Sequence, residues 1–197
     1  TMDGNGNAIG TSNDRTLLTG ANLDVDIDLI GATNTITGDF IGAGESGSDD
    51  LKISQTGSTN TTALNVGASA ATDDVKIIET RVGSSGATSY IIGSSATVQD
   101  VSVTVDVIGD DIDIALTENS SSSGSDKTTD IDIGTDSDDV DIVITHTGAG
   151  AHKTKLLCTG SCAGSDFTMS QTGANSTDVD LTVTNATASD VDITITD

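Results

Sequence analysis

The chain has 197 residues, enough for one domain or one elongated repeat array. Hydrophobic residues make up 34% and aromatics 2%, with no Trp, one Tyr and two Phe, which excludes a wide aromatic core and favours a thin one of Val, Ile, Leu, Ala and Thr. The net charge of −24 is carried almost wholly by Asp, so nucleic acid and anionic membranes are repelled; no apolar run is long enough to span a bilayer, and membrane insertion is not expected.

An acidic chain rich in Ser and Gly has disorder as its bland alternative. Regular β-branched alternation argues against it. Residues 1–22 hold a degenerate first unit, carried by Ala8-Ile9 and Leu17-Leu18. Residues 23–197 read as a single β-repeat domain. Its first unit runs from Leu23 through Asp24-Val25-Asp26-Ile27-Asp28 and Ile36 to Ser48. The second begins at Asp50 with Leu51-Lys52-Ile53 and returns through Ala63-Leu64-Asn65-Val66. The third begins at Asp74-Val75-Lys76-Ile77 and returns at Tyr90-Ile91-Ile92. The fourth begins at Asp100 and returns at Asp111-Ile112-Asp113-Ile114. The fifth joins Asp130-Ile131-Asp132-Ile133 to Asp139-Val140-Asp141-Ile142. The sixth joins Lys155 to Asp166-Phe167-Thr168-Met169. The seventh joins Asp178-Val179-Asp180-Leu181 to Asp190-Val191-Asp192-Ile193. The period is roughly 22 to 28 residues, within the range of known structural repeats. Gly, Asn and Ser clusters separate the strands, and no stretch shows the spacing of an amphipathic helix.

Two all-β architectures use such a pattern. In a parallel β-solenoid of about seven strand-turn-strand coils, each unit is one coil, stacked at about 4.8 Å into a rod of roughly 34 Å. In a β-sandwich, pilin-like domain, the same strands pair antiparallel. The repeated phrase, the absence of Pro and the scarcity of aromatics favour the solenoid.

Ser54-Gln55-Thr56-Gly57-Ser58-Thr59-Asn60 contains Q-x-G-x-x-N, and Ser170-Gln171-Thr172-Gly173-Ala174-Asn175 contains Q-x-G-x-N. These segments resemble the curlin repeat of bacterial curli fibres, over about a quarter of the chain. The second segment is one residue short, the family's second Gln has no counterpart, and the opening Asp phrase is not typical of it. The resemblance implies an extracellular, amyloid-like fibre subunit in which Gln55, Asn60, Gln171 and Asn175 are stacking polar residues.

Cys158 and Cys162 would lie roughly 13 Å apart in an extended strand, too far to bridge, whereas a turn at Gly160 would bring them together. A small-loop disulfide in an oxidising compartment is expected, with a pair of small buried thiols as the alternative. Asp26, Asp113 and Asp132 would stack as like charges if they share a column, with Lys76 interrupting it; a merely solvated acidic face is the simpler reading. Calcium is the ion that would suit the oxygens of Asp136, Asp138 and Asp139, although no complete calcium-loop motif is present and no other cofactor is implied. The sequons at Asn60, Asn119, Asn175 and Asn185 are candidate glycosylation sites. Thr35-Ile36-Thr37, Thr182-Val183-Thr184 and Thr194-Ile195-Thr196 resemble the T-x-T rows of ice-binding solenoids. His146 and His152, the only histidines, read as ordinary strand or loop residues. No nucleophile elbow or H-E-x-x-H occurs, so an enzyme is not expected.

Thr1 fits a chain left after signal cleavage, and the last unit stays strand-like to Asp197 without a closing cap. The expected function is therefore structural: an extracellular or cell-surface filament, or a biofilm-matrix fibre, in which the chain is its own partner through head-to-tail strand stacking. A calcium-dependent adhesin, an ice-binding β-solenoid and a donor-strand-exchanged sandwich pilin are the alternatives.

Overall fold

The computed structural model describes residues 1–11, 13–20, 22–42, 49–67, 75–93, 100–119, 126–135, 137–148, 150–159, 162–173, 176–184 and 189–196. These residues contain strands and no helix. One sheet stacks β1 (Met2–Asp3), β4 (Asp24–Ile30), β6 (Asp49–Thr56), β8 (Val75–Val82), β10 (Val101–Ile108), β12 (Lys127–Ile133), β14 (Ala151–Cys158) and β16 (Ser176–Val183) in that order. The other stacks β2 (Gly6–Ile9), β5 (Thr33–Gly42), β7 (Thr59–Val66), β9 (Ser85–Ile92), β11 (Ile112–Asn119), β13 (Val140–Thr147), β15 (Asp166–Thr172) and β17 (Asp190–Thr196). The chain alternates between the two sheets, so β4–β5 through β16–β17 form seven coils of a β-solenoid.

Every described strand pair is parallel, which excludes the antiparallel sandwich alternative. The dominant coil length is 26 residues, as in Val75 over Val101 and Asn34 over Asn60. Ala8-Ile9 and Leu17-Leu18 do not form two sides of a coil. Instead β2 and β3 (Thr16–Gly20) lie end to end over the single long strand β5, with Arg15 between them bonded to Asp39 at 2.8 Å and to the Gly38 carbonyl.

Alternation sets inside from outside. In β10, Val101, Val103, Val105 and Val107 are buried while Ser102, Thr104 and Asp106 point away. The inward rows of the two sheets meet as one narrow aliphatic core containing Ile27, Leu51, Ile53, Ile77, Ile114, Ile131 and Ile142. Branched side chains fill a core this thin without strain, since each stacks on a similar neighbour one coil away.

Two-residue corners close the early coils. Gly31-Ala32, Gly57-Ser58 and Gly83-Ser84 connect the sheets, and each glycine meets the backbone one coil before it. A Cβ on Gly57 would lie 1.8 Å from the Gly31 carbonyl oxygen, so no larger residue fits without separating the coils. Beside this glycine column runs an asparagine ladder. Asn7 donates to Asn34 Oδ1 at 3.0 Å, and Asn34 donates to Asn60 Oδ1 at 2.8 Å. The same amides donate to the Ile30, Thr56 and Val82 carbonyls at 2.9, 3.0 and 3.1 Å. The ladder stops where Gly86 and then Ile112 take the asparagine position, and the corner lengthens to Gly134–Asp139 between β12 and β13.

Candidate functional site: the solenoid end and its polar interior

The last coil differs from those before it. On β15 the inward side chains Phe167, Met169 and Gln171 are buried at 4%, 6% and 0% exposure. Their stacked counterparts on β17, Val191, Ile193 and Ile195, are 41%, 43% and 49% exposed. Among the described residues nothing pairs with the outer edge of β16 or β17, so their strand edge and apolar inner row are both open. An apolar cleft lined by Phe167, Met169, Leu181, Val191 and Ile193 opens there into the core.

The opposite end, where β2 and β3 lie over the first coil, carries the matching row. Ile9 stands in the column that runs through Ile36, Thr62, Thr88, Ile114, Ile142 and Phe167 to Val191. Leu18 stands in the column of Phe40, Val66, Ile92, Glu118, His146 and Gln171, which ends on Ile195.

The acidic residues are distributed by column. Asp26, Asp113 and Asp132 do not share one. Asp26 stacks on Lys52, Asp132 stacks on Asp106, and Asp113 lies on the opposite sheet. Lys76 stands in the column of Asp50 and is not in line with any of the three. Among the described residues Asp113, Asp141, Asp166 and Asp190 form an acidic column four coils long, all exposed. On the other sheet Lys155 spans Asp130 and Asp132 at 2.9 and 3.2 Å. Burial, then the charges of Asp132 and Asp130, raises the Asp106 pKa.

Two buried polar clusters interrupt the aliphatic core. In the first, Glu79 accepts hydrogen bonds from Thr62 at 2.8 Å, Thr88 at 3.1 Å and Tyr90 at 2.9 Å. Arg81 lies in the same row, donates to the Asn60 carbonyl at 3.2 Å, and has its pKa lowered by burial. The second joins Glu118, Lys127, Thr129, His146, His152, Thr154 and Gln171. His146 Nε2 lies 3.1 Å from Thr129 Oγ1 and 3.3 Å from Glu118, and its Nδ1 lies 3.3 Å from Gln171 Nε2. Gln171 Nε2 also donates to Thr154 Oγ1 at 3.0 Å, and Lys127 Nζ lies 3.3 Å from His152. Burial pushes the Glu118 carboxyl up to about 8 and the His146 imidazole down to about 3. Both are uncharged at pH 7, so their contact is neutral rather than an ion pair.

Of the residues singled out in sequence, Asn60 lies in the asparagine ladder, fully buried. That position removes its sequon from the folded surface. Gln55 is buried between Leu29 and Arg81 in one sheet, and Gln171 between His146 and Ile195 in the other, so the two do not stack in a common row. Asn119 is partly exposed at the end of β11. Asn175, Asn185, Asp74 and Asp136 lie outside the described residues. Asp138 and Asp139 are exposed, and among the described residues no three His, Cys, Asp or Glu side chains converge to hold a metal ion. Cys158 and Cys162 are joined by a disulfide with Cα atoms 6.4 Å apart. His146 and His152 are core residues, their rings 5.4 Å apart and edge to face. No helix among the described residues is long and apolar enough to cross a membrane.

The polar interior escaped the sequence reading although its signal was present. Glu79 follows Val75 and Ile77 in phase, Glu118 follows Ile112, Ile114 and Leu116, and Lys127 precedes Thr129 and Ile131. Comparison with known proteins finds no family model, no curated protein and no solved structure that matches this chain.

Proposed function

We propose that this chain is a structural subunit of an extracellular filament, joined end to end by β-strand stacking. The observation that carries the reading is the open inner row Val191, Ile193 and Ile195 on β17. A second copy presenting β2 and β3 places Ile9 over Val191 and Leu18 over Ile195, apolar on apolar. It also sets Ala8 rather than another acid over Asp190, since Ala8 heads that column. Covering each half-exposed Val or Ile contributes about 1 kcal/mol, and each new main-chain hydrogen bond contributes a further ~1 kcal/mol. The disulfide suits an oxidising compartment, and the acidic flanks oppose sideways clumping.

Electron microscopy of the concentrated protein tests this. Filaments one solenoid wide are expected, and Ile193→Lys with Ile195→Lys should leave monomers with unchanged β-sheet circular dichroism. Short single particles at every concentration of the unaltered chain would overturn the reading.

A second reading, an ice-binding surface, is favoured by one arrangement. Thr117, Thr145, Ser170 and Thr194 form one outward column, and Asn119, Thr147, Thr172 and Thr196 form the parallel column two residues along. The result is a hydroxyl array across four coils, with the Asn119 amide at one corner. Thermal hysteresis that Thr147→Tyr abolishes would support it; ice growth unaffected by the protein would dismiss it.

A further inference from the structure

The geometry points to a covalent cross-link in the core: an ester between the Thr154 hydroxyl and the Gln171 side chain, formed by the chain on itself with release of ammonia. This proposal does not depend on end-to-end stacking.

Thr154 and Gln171 face each other across the sixth coil, one on β14 and the other on β15. Both are buried, at 2% and 0% exposure, and Thr154 Oγ1 lies 3.0 Å from Gln171 Nε2. The amide carbon is one bond beyond that nitrogen. The last torsion of a Gln side chain is broad, so a modest rotation swings the nitrogen aside and presents the face of the amide carbon to the hydroxyl without moving the backbone. Held this way, the two groups need no further loss of translational freedom to react.

The surroundings leave the amide free to turn. Gln171 Oε1 is buried and makes no hydrogen bond among the described residues, so no partner of that oxygen has to be broken when the amide rotates. On the other side, His146 Nδ1 contacts the same Nε2 at 3.3 Å. His146 is itself fixed through Nε2 by Thr129 and Glu118. The imidazole thus aims the nitrogen that must leave, and His146 is a positioning residue.

The step balances without an external reagent. Thr154 Oγ bonds to the Gln171 side-chain carbonyl carbon, and the carbon turns tetrahedral. The hydroxyl proton passes to the amide nitrogen, which becomes basic as it loses conjugation. The carbon–nitrogen bond then breaks and ammonia departs, leaving the ester. Ammonia that reaches solvent is protonated and diluted, which opposes the reverse reaction, while burial of the product slows its hydrolysis. The link would tie β14 to β15 beneath the open end, across the same coil whose corner holds the disulfide Cys158–Cys162.

The test is mass spectrometry of the full chain after cleavage before Asp. Residues 141–165 and 166–177 are separate fragments of that digest, and both cysteines lie in the first, so a disulfide cannot join the two. The expected result is one species combining both fragments, lighter than their sum by one ammonia, stable to thiols and split by mild base or hydroxylamine. Ammonia loss confined to residues 3–13, where Asn5-Gly6 can cyclise, does not count as the link. Thr154→Val should lose the joined species completely, Thr154→Ser should retain it, and His146→Ala should slow its appearance at least tenfold when chain that has never folded, taken from inclusion bodies, is folded for the first time, with unchanged final circular dichroism. Should Thr154→Val fail to fold, fragmentation of the wild-type species still locates the bond. Separate, full-mass fragments from the folded wild type would overturn the proposal.

Discussion

Glu118 and His146 impose opposite pH dependences on stability, and Glu118→Gln separates them. Burial raises the Glu118 pKa from 4.5 to about 8 and lowers that of His146 from 6.5 to about 3. Between pH 4.5 and about 8 the folded chain keeps a proton on Glu118 that the unfolded chain has released, so stability falls as pH rises. Between about 3 and 6.5 the folded chain refuses a proton on His146 that the unfolded chain accepts, so stability rises with pH. Each slope is about 1.4 kcal/mol per pH unit. They cancel where the windows overlap, and above pH 6.5 only the Glu118 slope remains, a loss of about 2 kcal/mol by pH 8.

Among the described residues Lys127 and His146 are the titratable groups facing Glu118, alongside the uncharged Thr129, and His152 lies behind Lys127. Burial lowers the Lys127 and His152 values, which adds stability with rising pH in their own windows. Comparing wild type with Glu118→Gln at each pH cancels the His152 contribution, while Lys127, whose charge interacts with Glu118, is read as part of the same pair. Urea denaturation followed by circular dichroism is the assay. The stability difference between the two proteins should change by about 2 kcal/mol from pH 6.5 to pH 8, in favour of the variant. An unchanged difference would refute the assignment of a buried, protonated carboxyl.

Four further outcomes follow from the packing. Asn34→Ala removes the middle of the asparagine ladder and leaves Asn60 Oδ1 unpaired; a loss of about 2–4 kcal/mol in urea denaturation is expected, more than for Asn7→Ala at the ladder's end. Gly57→Ala forces a methyl group against the Gly31 carbonyl, and should cost more than about 3 kcal/mol or abolish soluble expression. Reducing Cys158–Cys162 opens only a short loop, so the loss should be near 2 kcal/mol by chain entropy, read from melting with and without reductant. Asp141→Asn relieves repulsion from Asp113 and Asp166 while keeping an acceptor for the Asp166 amide; a gain of about 1 kcal/mol at low salt, shrinking at high salt, is expected in thermal melts.

The coil pairs were legible in the sequence because each strand has its own alternation and each corner its own Gly, Asn or Ser. The Asp50 unit with its return at Ala63 is β6 with β7, and the Asp178 unit with its return at Asp190 is β16 with β17. Columns were less legible. Alternation tells which face a residue takes, but its column depends on the length of every preceding corner, and these grow from the two residues Gly31-Ala32 to Gly134–Asp139. Asp26 and Asp132 fall in different columns for another reason: every coil between them is 26 residues long, but the Asp phrase begins two positions later in β12 than in β4, while Asp113 is on the return strand of its coil. The ladder was half visible: the Gly57 to Asn60 spacing stood out beside Gln55, while Gly31 to Asn34 and Gly4 to Asn7, the same spacing one and two coils earlier, lack the Gln. The buried Glu79, Glu118 and Lys127 were readable only by trusting phase over residue type, since charged side chains at inward positions are rare in cores.

Disulfide trapping between copies tests end-to-end stacking most directly. With Leu18→Cys and Ile195→Cys in one chain, stacking places the two thiols of adjacent copies one strand spacing apart, about 4.8 Å between Cα atoms and within disulfide reach. Mild oxidation should give a ladder of covalent oligomers that reductant collapses, absent from either single variant. Monomer alone after oxidation, at concentrations where the unaltered chain is examined for filaments, would contradict the account.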